Sequence, residues 1–569
     1  MNNKAIADIF REIANILEIK GANVFRIRAY QKAAQNIEGL SEDLASIAQK
    51  DRLLEIPGIG KELSEHIQEF LQNGKVKIYE DLKKSLPVGL LDLLNIPSVG
   101  PKTVKLLYER IKVKNISDLE KAIKTNKLIG LPGIKEKTID NIKKGIGILS
   151  RSRGRLPLSF ARSLADEFID KLKKLPEVEK ISPAGSLRRQ KESIGDIDIL
   201  IASHQPAAIM NAFVKLPLVK DISVQGPTKA SVRTKNDTQV DCRVVENKSY
   251  GAALVYFTGS KNFNIKLRKL AIKAGFKVNE YGIYKNDKFL CGRTEEEVFK
   301  KLGMSYVEPE LREDNGEIEL ALKNKLPKLI ELKDIKGDLH AHSNWSDADN
   351  TIEEMALSAQ ALGLSYIAIT DHSQSLKVAN GVSVKDLLKK KKEIDAVNKK
   401  LKNFTVLYGT EVDIDSSGRI DYKDEILKSF DIVVGAIHTG FKQSKEQLTK
   451  RIVRACQNKY VNIISHPTGR LWGSRDAYEL DFEQILKVCH DTNTALEINA
   501  YPDRLDLNDL NARRAKEKNV KIAINTDSHQ INQLTNMRFG IAVARRAWLT
   551  KNDVLNTLTL EQLLKVIRK

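Results

Sequence analysis

Thiols, acids and long apolar runs are all in short supply in this chain. Its four cysteines, Cys242, Cys291, Cys456 and Cys489, lie far apart and form no Cys-x-x-Cys pair. Neither a disulfide framework nor a thiolate zinc site is supported, and a reducing, cytoplasmic setting is expected. The opening segment MNNKAIADIFREIANILEIK is interrupted by Asp8, Arg11, Glu12 and Glu18. No stretch approaches the roughly 18 apolar residues of a membrane span, so neither secretion nor a membrane partner is expected. With 15 prolines and 32 glycines in 569 residues, fibrous and low-complexity architectures are excluded. That length predicts about four domains.

Acid is outnumbered unevenly. The chain holds 94 Lys+Arg against 74 Asp+Glu, a formal charge of +20. Residues 1–334 hold 59 basic and 44 acidic side chains, 335–569 hold 35 and 30, and the short stretch 101–155 holds 15 and 5. Such an excess predicts a polyanionic partner such as nucleic acid, gripped by the N-terminal part. Histidine is divided the other way: His66 and His204 precede residue 335, and the other seven of the nine follow it. Two chemistries are therefore expected, joined near the segment REDNGEIELALKNKLPKLIELKDIKG, an interdomain linker with some helix.

Residues 4–50 carry apolar side chains at helical spacing. LLEIPGIGKELSEHIQEFLQNG (53–74) and LLDLLNIPSVGPKTVKLLYERI (90–111) then repeat one design, an apolar helix, a Pro-x-x-Gly turn and an amphipathic helix. Gly58, Gly60 and Gly100 would let backbone N–H groups approach a phosphate, with Lys61 and Lys102 beside them. These segments look like helix-hairpin-helix motifs, which hold the DNA backbone without reading sequence. A third copy, LIGLPGIKEKTIDNIKKGI (128–146), has Lys135 where the second glycine would be and is expected to be structural.

In ISPAGSLRRQKESIGDIDILIAS (181–203), Asp196 and Asp198 alternate with Ile197 and Ile199. On a strand both carboxylates share a face while the isoleucines enter a core. Gly185 and Ser186 upstream can cradle phosphate oxygens, and Arg189 can neutralise them. QVDCRVV (239–245) offers a third carboxylate, Asp241. Three acids on adjacent strands suit two-metal nucleotidyl transfer.

AGSLRRQKESIGDIDIL resembles the nucleotidyltransferase palm of family X DNA polymerases, and YFTGSKNFNIKLRKLAIKAGFKVNEYGIY (256–284) is similar to their thumb. The resemblance covers about 1–315 and implies templated deoxynucleotide addition, with Asp196, Asp198 and Asp241 binding Mg2+. It also implies that Gly185, Ser186, Arg189 and Gly195 meet the triphosphate, that Tyr256, Phe257 and Gly259 line the sugar and base pocket, and that Asn264 and Arg268 touch the incoming base or the template. His66 occupies the position of the lysine that forms a Schiff base in the lyase subdomain of such enzymes. Imidazole forms no such imine, so lyase activity requires Lys61 or another amine to substitute.

From 335 onward, short apolar strands end in metal-ligand residues: GDLHAHSNWSD, YIAITDH, TVLYGTEVDI, DIVVGAIH, VNIISHP, TALEINA and KIAINTDSH. Helical segments intervene, which predicts a barrel of about seven strands with its chemistry at the C-terminal strand ends. His340 and His342 can share one site, whereas His490 lies in a helical segment and is expected to be structural. The pattern resembles the polymerase and histidinol phosphatase (PHP) domain. That resemblance implies three metals, Zn2+ or Mn2+, on His340, His342, Asp347, His372, Glu411, His438, His466, Asp527 and His529. Arg470 and Arg504 are candidate phosphate clamps.

The chain is thus expected to be multidomain, α and α/β. Residues 1–85 and 86–150 are helix-hairpin-helix domains, 151–245 an α+β palm, 246–315 a thumb, 316–334 a linker and 335–569 a (β/α)7 TIM-like PHP barrel. The expected function is gap-filling DNA synthesis with a 3′–5′ exonuclease, and the resemblance also allows incision at abasic sites. The expected partners are gapped or primer-template DNA and deoxynucleoside triphosphates, for a monomer. Two alternatives stay open: nucleotidyl transfer to RNA or a small molecule coupled to a phosphatase, and a non-catalytic DNA-binding scaffold.

Overall fold

Helical spacing of apolar residues becomes a packed face at the start of the chain. Ile6, Phe10, Ile13 and Leu17 of helix Asn2–Ile19 are buried against Ile27, Tyr30 and Ala34 of helix Val24–Glu38. A second core gathers Leu93, Ile96, Val104, Leu107 and Leu119. In both hairpins the glycine is the residue before the helix: Gly60 ahead of Lys61–Asn73 and Gly100 ahead of Pro101–Ile111, each with extended backbone. A Cβ at either glycine would meet nothing within 4 Å, so the N–H groups of the first turns, from Lys61 in one helix and from Lys102 behind Pro101 in the other, stay open to an approaching chain.

The computed structural model describes residues 2–38, 44–87, 89–96, 99–134 and 155–567, with 138–140, 142–143 and 146 between the last two spans. Lys135, which distinguishes the third hairpin copy, lies outside the described residues. The chain divides into two compact units, Met1–Arg153 with Gly473–Asp476, and Gly154–Trp472 with Ala477–Lys569. No helix among the described residues is long and apolar enough to cross a membrane.

The second unit opens on a five-stranded sheet of β1 (Lys180–Pro183), β2 (Ile197–Ala202), β3 (Val219–Gln225), β4 (Lys229–Thr234) and β5 (Gln239–Val245), in the order β1-β2-β5-β4-β3. β2 and β5 run parallel with Asp198 opposite Asp241. Ile197, Ile199 and Ile201 alternate into a core under helix Leu158–Leu172. A smaller subdomain follows, with helices Tyr250–Thr258 and Lys261–Lys273 against the antiparallel sheet of β6 (Lys277–Asn279), β7 (Gly282–Lys285) and β8 (Lys288–Cys291).

The segment 316–334, expected to be an interdomain linker with some helix, does contain a helix and is held to its neighbours at a few buried positions. Its helix Glu317–Leu322 buries Ile318 and Ala321 in the small subdomain's core, and Ile330 joins the larger core. Apolar residues at helical spacing gain more from burial than from spanning water.

Seven parallel strands then follow in chain order: β9 (Gly337–Ala341), β10 (Tyr366–Ile369), β11 (Thr405–Asp413), β12 (Ile432–Ala436), β13 (Ile463–Ile464), β14 (Ala495–Asn499) and β15 (Ile522–Asn525). Apart from the two ends of β11 they are buried, as strands covered by helices on the outside and side chains within must be. A bridge between Ala341 and Ser528 brings the end of β9 to the end of β15, so the barrel is nearly closed. Each strand points its C-terminal end at one mouth.

Candidate functional site

Two donor clusters form in the second unit, and they share no residue. In the first, Asp198 lies in β2 opposite Asp241 in β5, and Asp196 sits exposed just ahead of β2, where a place within the strand was expected. Burial, then the Asp196 and Asp241 carboxylates, push the Asp198 carboxyl up to about 7. Like charges this close call for a cation. Gly185 opens the short helix Gly185–Arg188 with φ +59°, and a Cβ there would stand 2.0 Å from Asp198 Oδ2, so glycine is what lets this turn approach the carboxylates.

A cleft of about 530 Å³ is lined by Gly185, Ser186, Arg189, Gly195, Asp196, Asp198, Tyr256, Phe257, Gly259, Asn264 and Arg268, which the structure thus brings together; Asp241 borders the adjoining hollow with Asp198. Tyr256 is 36 % exposed, so it is not a core residue, and its ring meets Phe257 edge-on at 5.1 Å. Asn264 donates to the Tyr256 carbonyl at 2.7 Å and Arg268 to the Asn264 carbonyl at 3.3 Å. Three basic residues, Arg155, Lys191 and Lys261, also line the cleft. Sequence reading gave none of the three a role there: Arg155 belongs to no motif, Lys191 lies in the quoted palm segment without being singled out, and Lys261 was left without one.

The second cluster fills the barrel mouth. His340 and His342 bring their Nε2 atoms within 3.1 Å. Asp527 Oδ1 lies 3.2 Å from His342 Nε2 and 3.5 Å from His340 Nε2. Glu411 is central: His466 Nε2 at 3.1 Å and His438 Nε2 at 3.4 Å face Oε1, and His340 Nε2 at 3.5 Å faces Oε2. Asp347 Oδ1 lies 3.4 Å from His529 and 3.6 Å from His372. All nine expected residues converge here. His490 stays apart on helix Phe482–Asp491, exposed, beside Asp491.

Three overlapping groups have ligand atoms within 4.8 Å of one another: His342, Asp347, His372 and His529; His340, His342 and Asp527; His372, Glu411 and His438. His372 Nδ1 and Glu411 Oε2 lie 2.8 Å apart, yet both, with His342 Nδ1, are buried without a hydrogen-bond partner. Buried polar atoms left unpaired in such a cluster are what coordination would satisfy, so the residues present fit divalent cations. Charge agrees. Burial would hold His340 neutral, but Glu497, Glu411 and Asp527 outweigh it and lift its pKa well above the usual value, while burial and the neighbouring His529 and His372 press His342 down to about 3.

Outer groups orient the rings. Nδ1 of His340 faces Glu497 Oε1 at 2.8 Å, Nδ1 of His438 faces Asp413 Oδ1 at 3.2 Å, and Nδ1 of His529 faces the Asp527 carbonyl at 2.9 Å, which leaves each Nε2 for the cluster. Glu497 also accepts from the backbone N–H of His466 and from Asn499 and Asn525. Sequence reading quoted its strand without singling it out, although an acid at a strand end beside the others was the available signal. Arg504 Nε lies 3.4 Å from Asp527 Oδ2, but Arg470 donates to Glu192 at 2.7 Å and to the carbonyls of Arg504 and Leu505, so it is no free phosphate clamp. In the first unit, His66 Nδ1 faces the Tyr30 hydroxyl at 3.2 Å, and Glu62 beside it pairs with Arg26.

Family models match along the chain: a helix-hairpin-helix domain at residues 1–76, a SAM-like helix-hairpin-helix tandem at 90–147, a DNA polymerase beta thumb at 253–313 and a PHP domain at 338–501. The chain is 39 % identical over 565 residues to the DNA polymerase/3′-5′ exonuclease PolX of Bacillus subtilis (strain 168), covering 99 % of this chain and 98 % of that one. A probable phosphatase of Thermoanaerobacter sp. (strain X514) is 32 % identical over 231 residues, 39 % of this chain and 89 % of the other. DNA polymerase lambda of Arabidopsis thaliana is 26 % identical over 351 residues, 54 % of this chain and 62 % of the other.

Proposed function

Because this chain belongs to the bacterial family X DNA polymerases with a C-terminal PHP domain, we propose that it fills short gaps in DNA at the Asp196, Asp198 and Asp241 centre and trims 3′ ends at the histidine centre. The observation that carries this reading is the separation of donors: one cluster of carboxylates alone beside a basic cleft, the other of histidines with carboxylates, and no residue in common.

Hard carboxylate oxygens suit Mg2+, and the imidazole–carboxylate mixture, in three overlapping groups, suits three ions of Zn2+ or Mn2+. Bound ions would supply Lewis-acid stabilisation of phosphoryl oxygens and a lowered pKa for an attacking hydroxyl or water. The chain's own residues do the rest. Gly185 and Ser186 present backbone N–H and hydroxyl groups to the triphosphate, and Arg189, held by the Thr258 carbonyl and Glu313, offers its remaining N–H edge. Gly195 lines the same cleft beside Arg155, while Tyr256, Phe257 and Gly259 shape the sugar and base pocket and Asn264 and Arg268 meet the incoming base or the template. In the barrel, Glu497 and Asp413 keep Nδ1 of His340 and His438 engaged, so Nε2 stays aimed inward. Gly58, Gly60, Lys61, Gly100 and Lys102 hold the phosphate backbone of gapped or primer-template DNA. The working form is a cytoplasmic monomer taking deoxynucleoside triphosphates. Incision at abasic sites would use the same histidine centre.

One end-labelled gapped DNA tests both centres. Asp241→Ala is expected to abolish extension and keep degradation, and His340→Ala to do the reverse; loss of both activities from either change contradicts separate centres. The likeness to a probable phosphatase favours a second reading of the barrel, phosphate removal from a terminal monoester. Release of inorganic phosphate from a 3′-phosphate end, with no shortening of the DNA, would establish it.

A further inference from the structure

Helix Met537–Arg546 of the barrel ends in two arginines that reach residues outside the barrel. Arg545 donates to Glu310 at 2.8 Å and to the Ile330 carbonyl at 3.1 Å. Arg546 goes further. Its Nη1 donates to the backbone carbonyl of Arg189 at 2.9 Å and to Glu313 Oε1 at 3.1 Å, while Nε and Nη2 hold Asp509 Oδ2 at 2.8 and 2.7 Å. Its side chain is 9 % exposed.

The same Glu313 oxygen accepts from Arg189 Nε at 3.0 Å, and Arg189 also donates to the Thr258 carbonyl. Arg189 is thus gripped at its backbone by Arg546 and at its guanidinium by an acid that Arg546 anchors. Glu192, three residues along the same loop, is held at 2.7 Å by Arg470, a second barrel residue. A planar guanidinium can serve three acceptors on two edges at once, which an ammonium cannot.

We propose that Arg546, a residue of the PHP barrel, is a positioning residue for nucleotide binding at the polymerase centre: by anchoring Glu313 and the Arg189 carbonyl, it fixes the plane in which Arg189 meets the triphosphate. This rests on the reading of Arg189 as a triphosphate contact. Arg546 touches no substrate. Without it, Glu313 has Arg189 as its main cationic partner and draws the guanidinium away from the cleft. Nucleotide affinity at one centre therefore depends on the domain that houses the other.

The test is single-turnover incorporation by the full chain on gapped DNA with Mg2+, at varied nucleotide concentration. Arg546→Lys is expected to weaken nucleotide binding about tenfold while changing the maximal rate less than about twofold. Degradation of single-stranded DNA should stay at its wild-type rate, and Arg189→Lys/Arg546→Lys should bind nucleotide no worse than Arg189→Lys alone. Asp509→Asn, which releases only the far edge of Arg546, should give a smaller weakening and covers the case in which Arg546→Lys fails to fold. Unchanged nucleotide affinity in both Arg546→Lys and Asp509→Asn, with Arg189→Lys impaired, overturns the proposal and spares the reading of Arg189. Unchanged affinity in Arg189→Lys overturns that reading itself. Parallel loss of affinity, rate, degradation and melting temperature in both variants would reduce Arg546 to a structural clamp and also overturn the proposal.

Discussion

A methyl group on Gly185 would collide with the Asp198 carboxylate at 2.0 Å, on a backbone whose φ of +59° already disfavours any side chain. Gly185→Ala is therefore expected to cost about 1–2 kcal/mol of stability and most of the extension activity, with degradation of single strands unchanged. Primer extension and exonuclease assays on one preparation check it. Glu497 plays the corresponding part in the barrel without being a ligand. Glu497→Gln keeps the shape but loses the charge beside His340, and metal affinity there should fall roughly 10–100-fold, read by titration with Mn2+ or Zn2+. These two residues also mark what could be read from the chain alone. Gly185 lies in a motif whose spacing declares a phosphate turn. Glu497 interacts across 157 positions with His340, and that partnership exists only once β14 lies near β9.

Between elements, the decisive contact is a cluster of four side chains centred on the buried Glu295. Arg188 of helix Gly185–Arg188 forks onto Glu295 at 2.8 and 2.6 Å, Arg312 reaches the same carboxylate at 2.7 Å, and the Tyr306 hydroxyl donates to it at 3.1 Å. Burial alone would raise the Glu295 pKa, but Arg312 and Arg188 outweigh it and bring it from 4.5 to about 2. A carboxyl with a folded value below its unfolded one stabilises the fold above the unfolded value, and that contribution is lost as pH falls from 4.5 toward about 2. Glu295→Gln should thus destabilise by about 3 kcal/mol near neutrality, leaving two arginines buried against an amide, and the gap to wild type should close across that acid window. Denaturant unfolding at several pH values measures both. The alternating isoleucines of β2 and the strand-end histidines made these elements legible in advance. The burial of Ile318 and Ala321 was not, because helix Glu317–Leu322 reveals its partners only through tertiary packing.

At the scale of the whole second unit, two metal chemistries share one apolar core. Residues under the five-stranded sheet, such as Ile199 and Phe213, and barrel residues such as Val412 and Ile464 belong to a single buried cluster. The donor sets nevertheless differ in kind. After complete chelation and removal of the chelator, Mg2+ alone is expected to restore extension, whereas degradation should need Mn2+ or Zn2+, because imidazole favours those ions over Mg2+. Time courses on end-labelled DNA separate the two recoveries. The sequence division of charge and histidine anticipated two chemistries. It carried no sign of the ties between them: Arg470 read as a candidate phosphate clamp, Arg545 and Arg546 sit in no motif, and the bonds to Glu192, Glu310 and Glu313 exist only once the chain is folded.

One barrel residue crosses the same seam with an aromatic ring. Trp548 is among only three tryptophans in the chain, is 7 % exposed, and packs into the core of the small subdomain with the Arg513 guanidinium 4.2 Å from its ring. Its indole is an intrinsic optical probe set where the barrel meets the small subdomain. Any loosening of that joint admits water to the ring, so emission colour and intensity follow the joint in solution without a label.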